Sequence, residues 1–251
     1  LVLGAIIAPD ALSITTTGAV YDLNQGDSNF IARTVSLQSA GDFGQATDPL
    51  EMSVESIAIT TATGSAYFYE FDGVTLATAN VAADLVLEVP NGSIAVGGVI
   101  AGGTVTLKAA NGAISDTNVA ALKADGVVLT AKNAVGSAAN PFQTDVANLS
   151  VTVTKAGTAI DKAVIYVNEA DTLSSLAVST NDGNVTVNFT GGSISFLPAT
   201  DALSAALPGT DFAFSNTGGG LVIGTIDAGT GNVSLTASGA ITDDVNDAVV
   251  D

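Results

Sequence analysis

The sequence predicts an all-β protein whose short strands stack as a parallel β-solenoid, and composition, internal repetition and strand periodicity support this prediction. Hydrophobic residues make up 47% of the 251 residues, whereas charged residues make up 12% and aromatic residues 5%. Strand-forming Val, Ile and Thr and turn-forming Gly, Asn and Asp are abundant, while Lys, Arg, Glu and Gln are scarce. This composition favours many short strands joined by tight turns.

Internal repetition is the strongest of these signals. An alternating strand followed by Gly-Ala, an aliphatic residue, a polar residue and Asp occurs at 12–22, 105–116 and 233–243. The segment 35–57 also matches 127–149 at a constant offset of 92 residues. Self-similarity at a fixed offset is typical of repeat architectures, in which each repeat is covered by its neighbours.

The repeats predict how the chain is organised. Two long repeats are expected at approximately 12–104 and 105–232, with the start of a third at 233–251. The second repeat is longer than the first, and the extra residues at 197–217 are interpreted as an inserted loop or an extra turn. We therefore expect one continuous solenoid over 1–251. Ten to twelve rungs at ~4.8 Å each would give a rod of ~50–60 Å.

Strand-like segments within each repeat alternate apolar and polar residues. In one such segment, Val105, Leu107 and Ala109 would point to one side of the strand, and Thr106 and Lys108 to the other. A period of two residues places one face of a strand in a core and the other in water. Asn-Gly, Gly-Asn and Asp-Gly pairs between segments supply the backbone conformations that tight turns require.

Tandem β-sandwich domains are the alternative fold. Their short strands and turn signals would look similar, and their usual size is close to the length of one long repeat. Such domains usually contain a Trp or Tyr that anchors the core, whereas this chain has no Trp and only 4 Tyr. The strand–Gly–strand phrase also recurs within each long repeat, which favours stacked rungs.

The charge balance limits the partners of the chain. There are 25 acidic and 6 basic residues, which gives a formal net charge of −19. Nucleic acids and anionic membranes are bound mainly through Lys and Arg, so we expect no nucleic-acid partner and no membrane insertion. The same charge would attract divalent cations, or would serve only to keep a β-rich protein in solution.

Candidate catalytic groups are few, and the chain is predicted not to be an enzyme. The absence of His and Cys excludes Ser/His and Cys/His nucleophile systems. Four acidic residues could supply the carboxylate pair of a glycoside hydrolase, namely Glu70, Asp72, Glu169 and Asp171. They occupy equivalent positions in the two repeats, and repeated positions are typical of architecture. Arg33 is the single arginine available to a polysaccharide lyase.

Calcium is the cofactor that the acidic turns suggest, because Ca²⁺ prefers carboxylate and amide oxygens. The candidate ligands lie in two groups, namely Asp22, Asn24 and Asp27 in the first and Asp243, Asp244 and Asp247 in the second. The first group lacks the closing Glu of an EF-hand loop. Asp and Asn are also ordinary turn residues, so a purely structural role remains the alternative at both places.

Three phrases, at 136–149, 165–171 and 231–244, resemble repeats of filamentous-haemagglutinin-type surface proteins. The resemblance covers most of 80–251 and is weaker over 1–80. It implies a right-handed parallel β-helix within a very large secreted or surface-attached bacterial protein. For function, it implies an extended surface stalk.

The sequence therefore predicts a structural stalk or adhesin segment, located at a bacterial cell surface or outside the cell. The expected partners are neighbouring repeats of the same long chain and a host-cell, matrix or polysaccharide ligand. A self-assembling extracellular matrix or filament subunit, joined end to end, is the first alternative. A polysaccharide-acting β-helix enzyme is the second.

Overall fold

The structure is a computed structural model that describes residues 1–23, 26–117, 120–155, 163–181, 183–191, 194–195, 203–205, 211–224 and 226–243. These residues form strands and turns, with no helix among them. The chain divides into two compact units, Leu1–Asp125 and Gly126–Asp251. This boundary differs from the predicted repeat boundary at 104/105, and the prediction of one continuous solenoid stays a prediction.

Unit 1 is built from parallel ladders. Its strands are β1 (Val2–Leu3), β2 (Ile6–Thr16), β3 (Tyr21–Asp22), β4 (Phe30–Ser39), β5 (Leu50–Thr61), β6 (Ala66–Glu70), β7 (Val74–Val81), β8 (Leu85–Val89), β9 (Ile94–Ala101), β10 (Thr104–Ala109) and β11 (Ile114–Asp116), followed by β12 (Leu122–Ala131) at the boundary. The long strands β2, β4 and β5 stack in that order. The first part of β5 then pairs with β6 and its second part with β7. From this division, one ladder continues through β8 and β10 and the other through β9 and β11.

Unit 2 repeats this arrangement. Its strands are β13 (Ala134–Val135), β14 (Phe142–Val153), β15 (Ala163–Glu169), β16 (Ser175–Thr180), β17 (Gly183–Phe189), β18 (Ile194–Ser195), β19 (Leu203–Ala205), β20 (Phe212–Asn216), β21 (Leu221–Ile223), β22 (Ile226–Asp227), β23 (Val233–Ala237) and β24 (Ile241–Asp243). The first part of β14 pairs with β15 and its second part with β16. One ladder then runs through β17, β20 and β23, another through β19 and β22, and a third joins β18, β21 and β24.

The strand ladders confirm the parallel β-helix. Among the described residues the ladders between named strands are parallel, and the antiparallel pair is the isolated bridge between Gln45 and Asp48. The tandem β-sandwich alternative is wrong, because such sandwiches pair their strands in antiparallel sheets. The offset of 92 residues is also a structural repeat. The twelve-residue β5 and β14 begin at Leu50 and Phe142, and the ten-residue β4 and β12 begin at Phe30 and Leu122.

Alternating side chains form the core, as the sequence predicts. Val105, Leu107 and Ala109 are fully buried, whereas Thr106 is half-buried and Lys108 is exposed. In unit 2 the buried phenylalanines Phe189, Phe212 and Phe214 lie close to one another in the core. The Phe214 ring lies nearly parallel to the other two, with centroid distances of 6.4 Å to Phe189 and 6.1 Å to Phe212.

Glycines stack on one another where the chain turns between ladders. A Cβ added to Gly92 would lie 1.6 Å from the carbonyl oxygen of Asp72, and one added to Gly112 would lie 1.8 Å from the carbonyl oxygen of Gly92. In unit 2, a Cβ on Gly218 would lie 1.7 Å from the carbonyl oxygen of Gly191. Only glycine permits backbones to approach this closely. We call these two sets the glycine columns.

The interval 197–217, interpreted above as an inserted loop or extra turn, contains two strands. Leu203–Ala205 pairs with β16 and β22, and Phe212–Asn216 pairs with β17 and β23. These residues are therefore part of the ladders. The rest of the interval, apart from 211 and 217, lies outside the described residues.

Candidate functional site

Two buried glutamates lie where β5 and β14 each change from one partner strand to the next. Glu70 ends β6, and its carboxylate accepts hydrogen bonds from the backbone N–H of Val54 at 3.0 Å and of Asp72 at 3.3 Å. Glu169 ends β15, and its carboxylate accepts hydrogen bonds from the N–H of Val146 at 3.1 Å and of Asp171 at 2.8 Å. Both side chains are 0% exposed.

The dividing strand explains why a carboxylate is needed here. The register between β5 and its partners is interrupted between Met52, which pairs with Glu70, and Ser56, which pairs with Thr75. Backbone N–H groups at this break lose their ladder acceptors, and a buried N–H without an acceptor is costly. The Glu70 carboxylate supplies the missing acceptor for Val54. Such burial supports the architectural interpretation of Glu70 and Glu169 rather than a catalytic one.

Burial also changes the acidity of these groups. Desolvation raises the pKa of Glu70 to about 7, and the hydrogen bonds from Asp72 and Val54 oppose this effect only in part. Desolvation likewise raises the pKa of Glu169, against the opposing hydrogen bonds from Thr144, Asp171 and Val146. The ionised carboxylates are therefore less favourable in the folded protein than in the unfolded chain.

We expect stability to fall as the pH rises from 4.5 to about 7. The Glu70 carboxyl has a pKa of 4.5 when unperturbed and about 7 in the folded protein. Its contribution to the free energy of unfolding is therefore complete below pH 4.5 and is lost as the pH rises to about 7. The loss amounts to about 3 kcal/mol, at 1.36 kcal/mol for each pKa unit. Urea unfolding at a series of pH values measures it.

The double variant Glu70→Gln and Glu169→Gln is the control for this pH dependence. It keeps the size of both side chains but cannot ionise, so its stability should vary less with pH than that of the wild type. The remaining acidic residues are the same in both proteins and their repulsion cancels in the comparison. Equal pH dependence in the two proteins would contradict the assignment to these carboxyls.

Asp22, from the first predicted calcium group, accepts hydrogen bonds from neighbouring residues. This residue is 9% exposed, and its Oδ1 accepts hydrogen bonds from the N–H of Leu23, at 2.6 Å, and from Nδ2 of Asn29. Oδ1 of Asn29 in turn accepts the N–H of Glu51 at 2.8 Å. Asp27 is exposed. The side chains of Asp22 and Asn29 thus link the end of β3 to Glu51 on β5.

The remaining predicted calcium ligands are not brought together among the described residues. Asp243 is exposed at the end of β24, and Asn24, Asp244 and Asp247 lie outside the described residues. Within the described part of the chain, no group of three acidic side chains is placed to hold a metal ion. Calcium binding therefore stays a prediction.

Glu51 was missed by the sequence reasoning. It is 7% exposed, and its Oε2 atom is buried without a hydrogen-bond partner. Desolvation raises the pKa of Glu51, and the negative charges of Asp22, Asp48 and Asp27 raise it further. The contact with Asn29 across one rung, 22 residues away, becomes visible only when the register of the strands is known.

A second feature missed by the sequence reasoning is a cleft on the outer face of unit 1. It has a volume of about 180 Å³, and its lining includes Ala46, Pro49, Tyr67, Tyr69, Val86 and Glu88. We call it the tyrosine cleft. Both tyrosines are half-buried and point outward from β6, because the residues between and beside them, Ala66, Phe68 and Glu70, point inward.

A tight turn lies beside the tyrosine cleft. Gly44, with a φ of 65°, leads into it, and the backbones of Gln45 and Asp48 exchange hydrogen bonds of 2.9 and 3.0 Å. Unit 2 has the same turn, in which Gly136 also has a φ of 65° and the turn closes between Ser137 and Asn140. In the sequence, a Tyr three residues before each buried Glu, at 67–70 and 166–169, could have pointed to the outward-facing tyrosines.

A groove of unit 1 lies at the corner of the three long strands β2, β4 and β5. It has a volume of about 540 Å³ and is lined in part by Ile7, Ile31, Arg33, Glu55 and Asp72. Arg33 forms an ion pair with Asp10, and both side chains are more than half exposed. The arginine considered for a lyase is thus already engaged by a carboxylate.

Comparisons with known proteins do not assign this chain to a family. Neither the protein-family models, nor the curated proteins, nor the solved structures gave a match. The described residues contain no helix of the length and hydrophobicity needed to cross a membrane. The resemblance to filamentous-haemagglutinin-type repeats therefore stays a prediction, and the structure establishes a parallel β-helix built from repeats.

Proposed function

We propose that the chain is a structural segment, a stalk or adhesin, of a large bacterial protein located at the cell surface or outside the cell. The observation that carries this proposal is the stacking of parallel rungs with glycine columns at their turns. Each rung gives its main-chain hydrogen bonds to the rungs beside it, so such a structure is extended by adding rungs. The resemblance of the repeats to those of surface proteins supports the same role.

The composition permits an extracellular structural role. The chain has no cysteine and 25 acidic against 6 basic residues, and a stacked core does not depend on disulfides for its stability. The proposed partners are neighbouring repeats of the same long chain and a host-cell, matrix or polysaccharide ligand. Charge repulsion disfavours nucleic acids and anionic lipids as partners.

Small-angle X-ray scattering of the purified chain tests the stalk proposal. We expect an elongated particle of about 50–60 Å, the length of ten to twelve rungs at ~4.8 Å. A particle that scatters as two beads on a flexible connection would contradict both the stalk proposal and the prediction of one continuous solenoid.

The predicted calcium binding is tested by repeating the scattering measurement and a thermal melt with Ca²⁺ and with EDTA. A melting temperature that is higher only in Ca²⁺ supports calcium binding.

Self-assembly into a filament is the second candidate, and exposed strands favour it. In the described ladders, β2 pairs with β4 and β23 with β20; Ile7 on β2 is 70% exposed and Val233 on β23 is 45% exposed. Strands with exposed apolar side chains at a sheet edge accept further strands. A scattering mass that grows with protein concentration would favour assembly of separate chains, and a constant mass would favour contacts with repeats of the same chain.

A further inference from the structure

We propose that the tyrosine cleft binds one ring of a neutral saccharide, which stacks on a tyrosine and donates a hydroxyl hydrogen bond to Glu88. The proposal builds on the adhesive part of the function proposed above and names its ligand class. At about 180 Å³, the cleft is smaller than the ~300–1,000 Å³ of sites for drug-sized ligands. It therefore suits a single sugar ring of a longer glycan.

The aromatic side chains supply the stacking surface. Tyr67 and Tyr69 lie two residues apart on the outer face of β6 and remain half-buried. The ring of Tyr69 packs edge-to-face against Phe71, with centroids 5.3 Å apart and planes at 77°. This contact holds the ring in place, so less side-chain entropy is lost on binding. Sugar C–H groups carry partial positive charge and pack favourably on the negative face of an aromatic ring.

The polar groups beside the rings suit sugar hydroxyls. Tyr69 pairs in register with Glu88, and Glu88 pairs with Lys108, so the three side chains form a row across β6, β8 and β10. Lys108 Nζ lies 3.3 Å from Glu88 Oε2. The carboxylate accepts hydroxyl hydrogens and the ammonium donates to hydroxyl oxygens, as sugar recognition requires. Glu88 and the net charge of −19 disfavour anionic glycans.

The corresponding face of unit 2 provides an internal comparison. Tyr166 stands at the position of Tyr67, beside the turn that closes between Ser137 and Asn140. The row next to it contains two amides and a serine instead of Tyr, Glu and Lys. Asn168 pairs in register with Asn188 and Asn188 with Ser215, and Nδ2 of Asn188 donates to Asn168 Oδ1 at 2.9 Å. Unit 2 thus keeps one tyrosine but has neither the second ring nor the carboxylate.

Titration of the whole chain with neutral tetrasaccharides tests the proposal. The probes are cellotetraose, the tetramer of N-acetylglucosamine and a galactose tetramer, with a heparin tetrasaccharide as the anionic comparison. The chain contains 4 Tyr and no Trp, so tyrosine-labelled NMR spectra resolve each ring. We expect at least one neutral probe to shift the signals of Tyr67 and Tyr69, and heparin to shift neither.

Variants identify the groups responsible. Tyr69→Ala and Glu88→Gln should each weaken binding by about tenfold or more, since each removes a central contact. Tyr166→Ala alters unit 2 and should bind as the wild type does, whereas Tyr69→Phe keeps the ring and should lose less binding than Tyr69→Ala. Thermal melts confirm that each variant folds.

Three results would overturn the proposal: no shift with any neutral probe at 10 mM, equal binding by Tyr69→Ala and wild type, or binding of heparin alone. An elongated scattering particle that binds no neutral probe would overturn the saccharide site and leave the stalk proposal standing. A beaded particle that binds a neutral probe through Tyr69 and Glu88 would support the saccharide site and contradict the stalk proposal.

Discussion

Replacing Gly92 with alanine is expected to destabilise the protein by about 3 kcal/mol, at the upper end of the effects of overpacking. The added Cβ would lie 1.6 Å from the carbonyl oxygen of Asp72, a backbone atom that cannot rotate away. The two rungs must therefore separate at the turn, and the hydrogen bonds on both sides of it lengthen. Urea unfolding followed by circular dichroism measures the loss.

Gly98→Ala is the matched control for Gly92→Ala. Gly98 belongs to β9 in the same unit, and a Cβ added there meets no atom within 4 Å. Its replacement should leave stability unchanged or raise it by about 0.4–1 kcal/mol, because alanine restricts the unfolded chain. If the two variants unfold at the same urea concentration, the close backbone contact at Gly92 does not require glycine for the stability of the fold.

Replacing Phe214 with alanine should destabilise unit 2 by about 3–5 kcal/mol, the usual cost of removing a buried phenylalanine ring. Phe214 is 1% exposed and its ring lies between those of Phe189 and Phe212, with interplanar angles of 14° to both. The stacked rungs hold the neighbouring backbones at fixed spacing, so the resulting cavity cannot collapse easily. Calorimetry or urea unfolding checks this loss.

Two further variants locate the effect in the ring. Ser215→Ala changes the next residue of β20, which is half-buried on the outer face, and should alter stability by less than about 0.5 kcal/mol. Phe214→Leu keeps an apolar side chain in the core and should cost less than the alanine variant. A Phe214→Ala protein as stable as Ser215→Ala would show that the aromatic stack contributes nothing to the core.

The fold was predictable because it depends on periodic signals. Alternation correctly placed Val105, Leu107 and Ala109 in the core, and the segments that match at an offset of 92 residues contain the starts of two equivalent strands, at Leu50 and Phe142. Both signals are local or strictly repeated, so they can be read before any contact is known. The equivalence of Glu70 and Glu169 likewise indicated an architectural role.

The sites were less predictable, because they depend on which residues meet across rungs. The acidic stretch around Asp22 predicts calcium ligands, but it does not show that Asp22 accepts a hydrogen bond from Asn29, whose side chain in turn accepts one from Glu51. Similarly, the row of Tyr69, Glu88 and Lys108 joins residues far apart in the chain. Composition and spacing do not contain the register that brings these groups together.

The connectivity of the rungs has a consequence for how the chain acquires its structure. Contacts between successive rungs join residues about one rung apart, as in the bonds from Thr104 to Asp84 and from Asn111 to Pro90, which span 20 and 21 residues. In the described part of the chain, each new rung therefore needs only the preceding one as a template. Such a chain can fold vectorially, one rung after another, as it is synthesised.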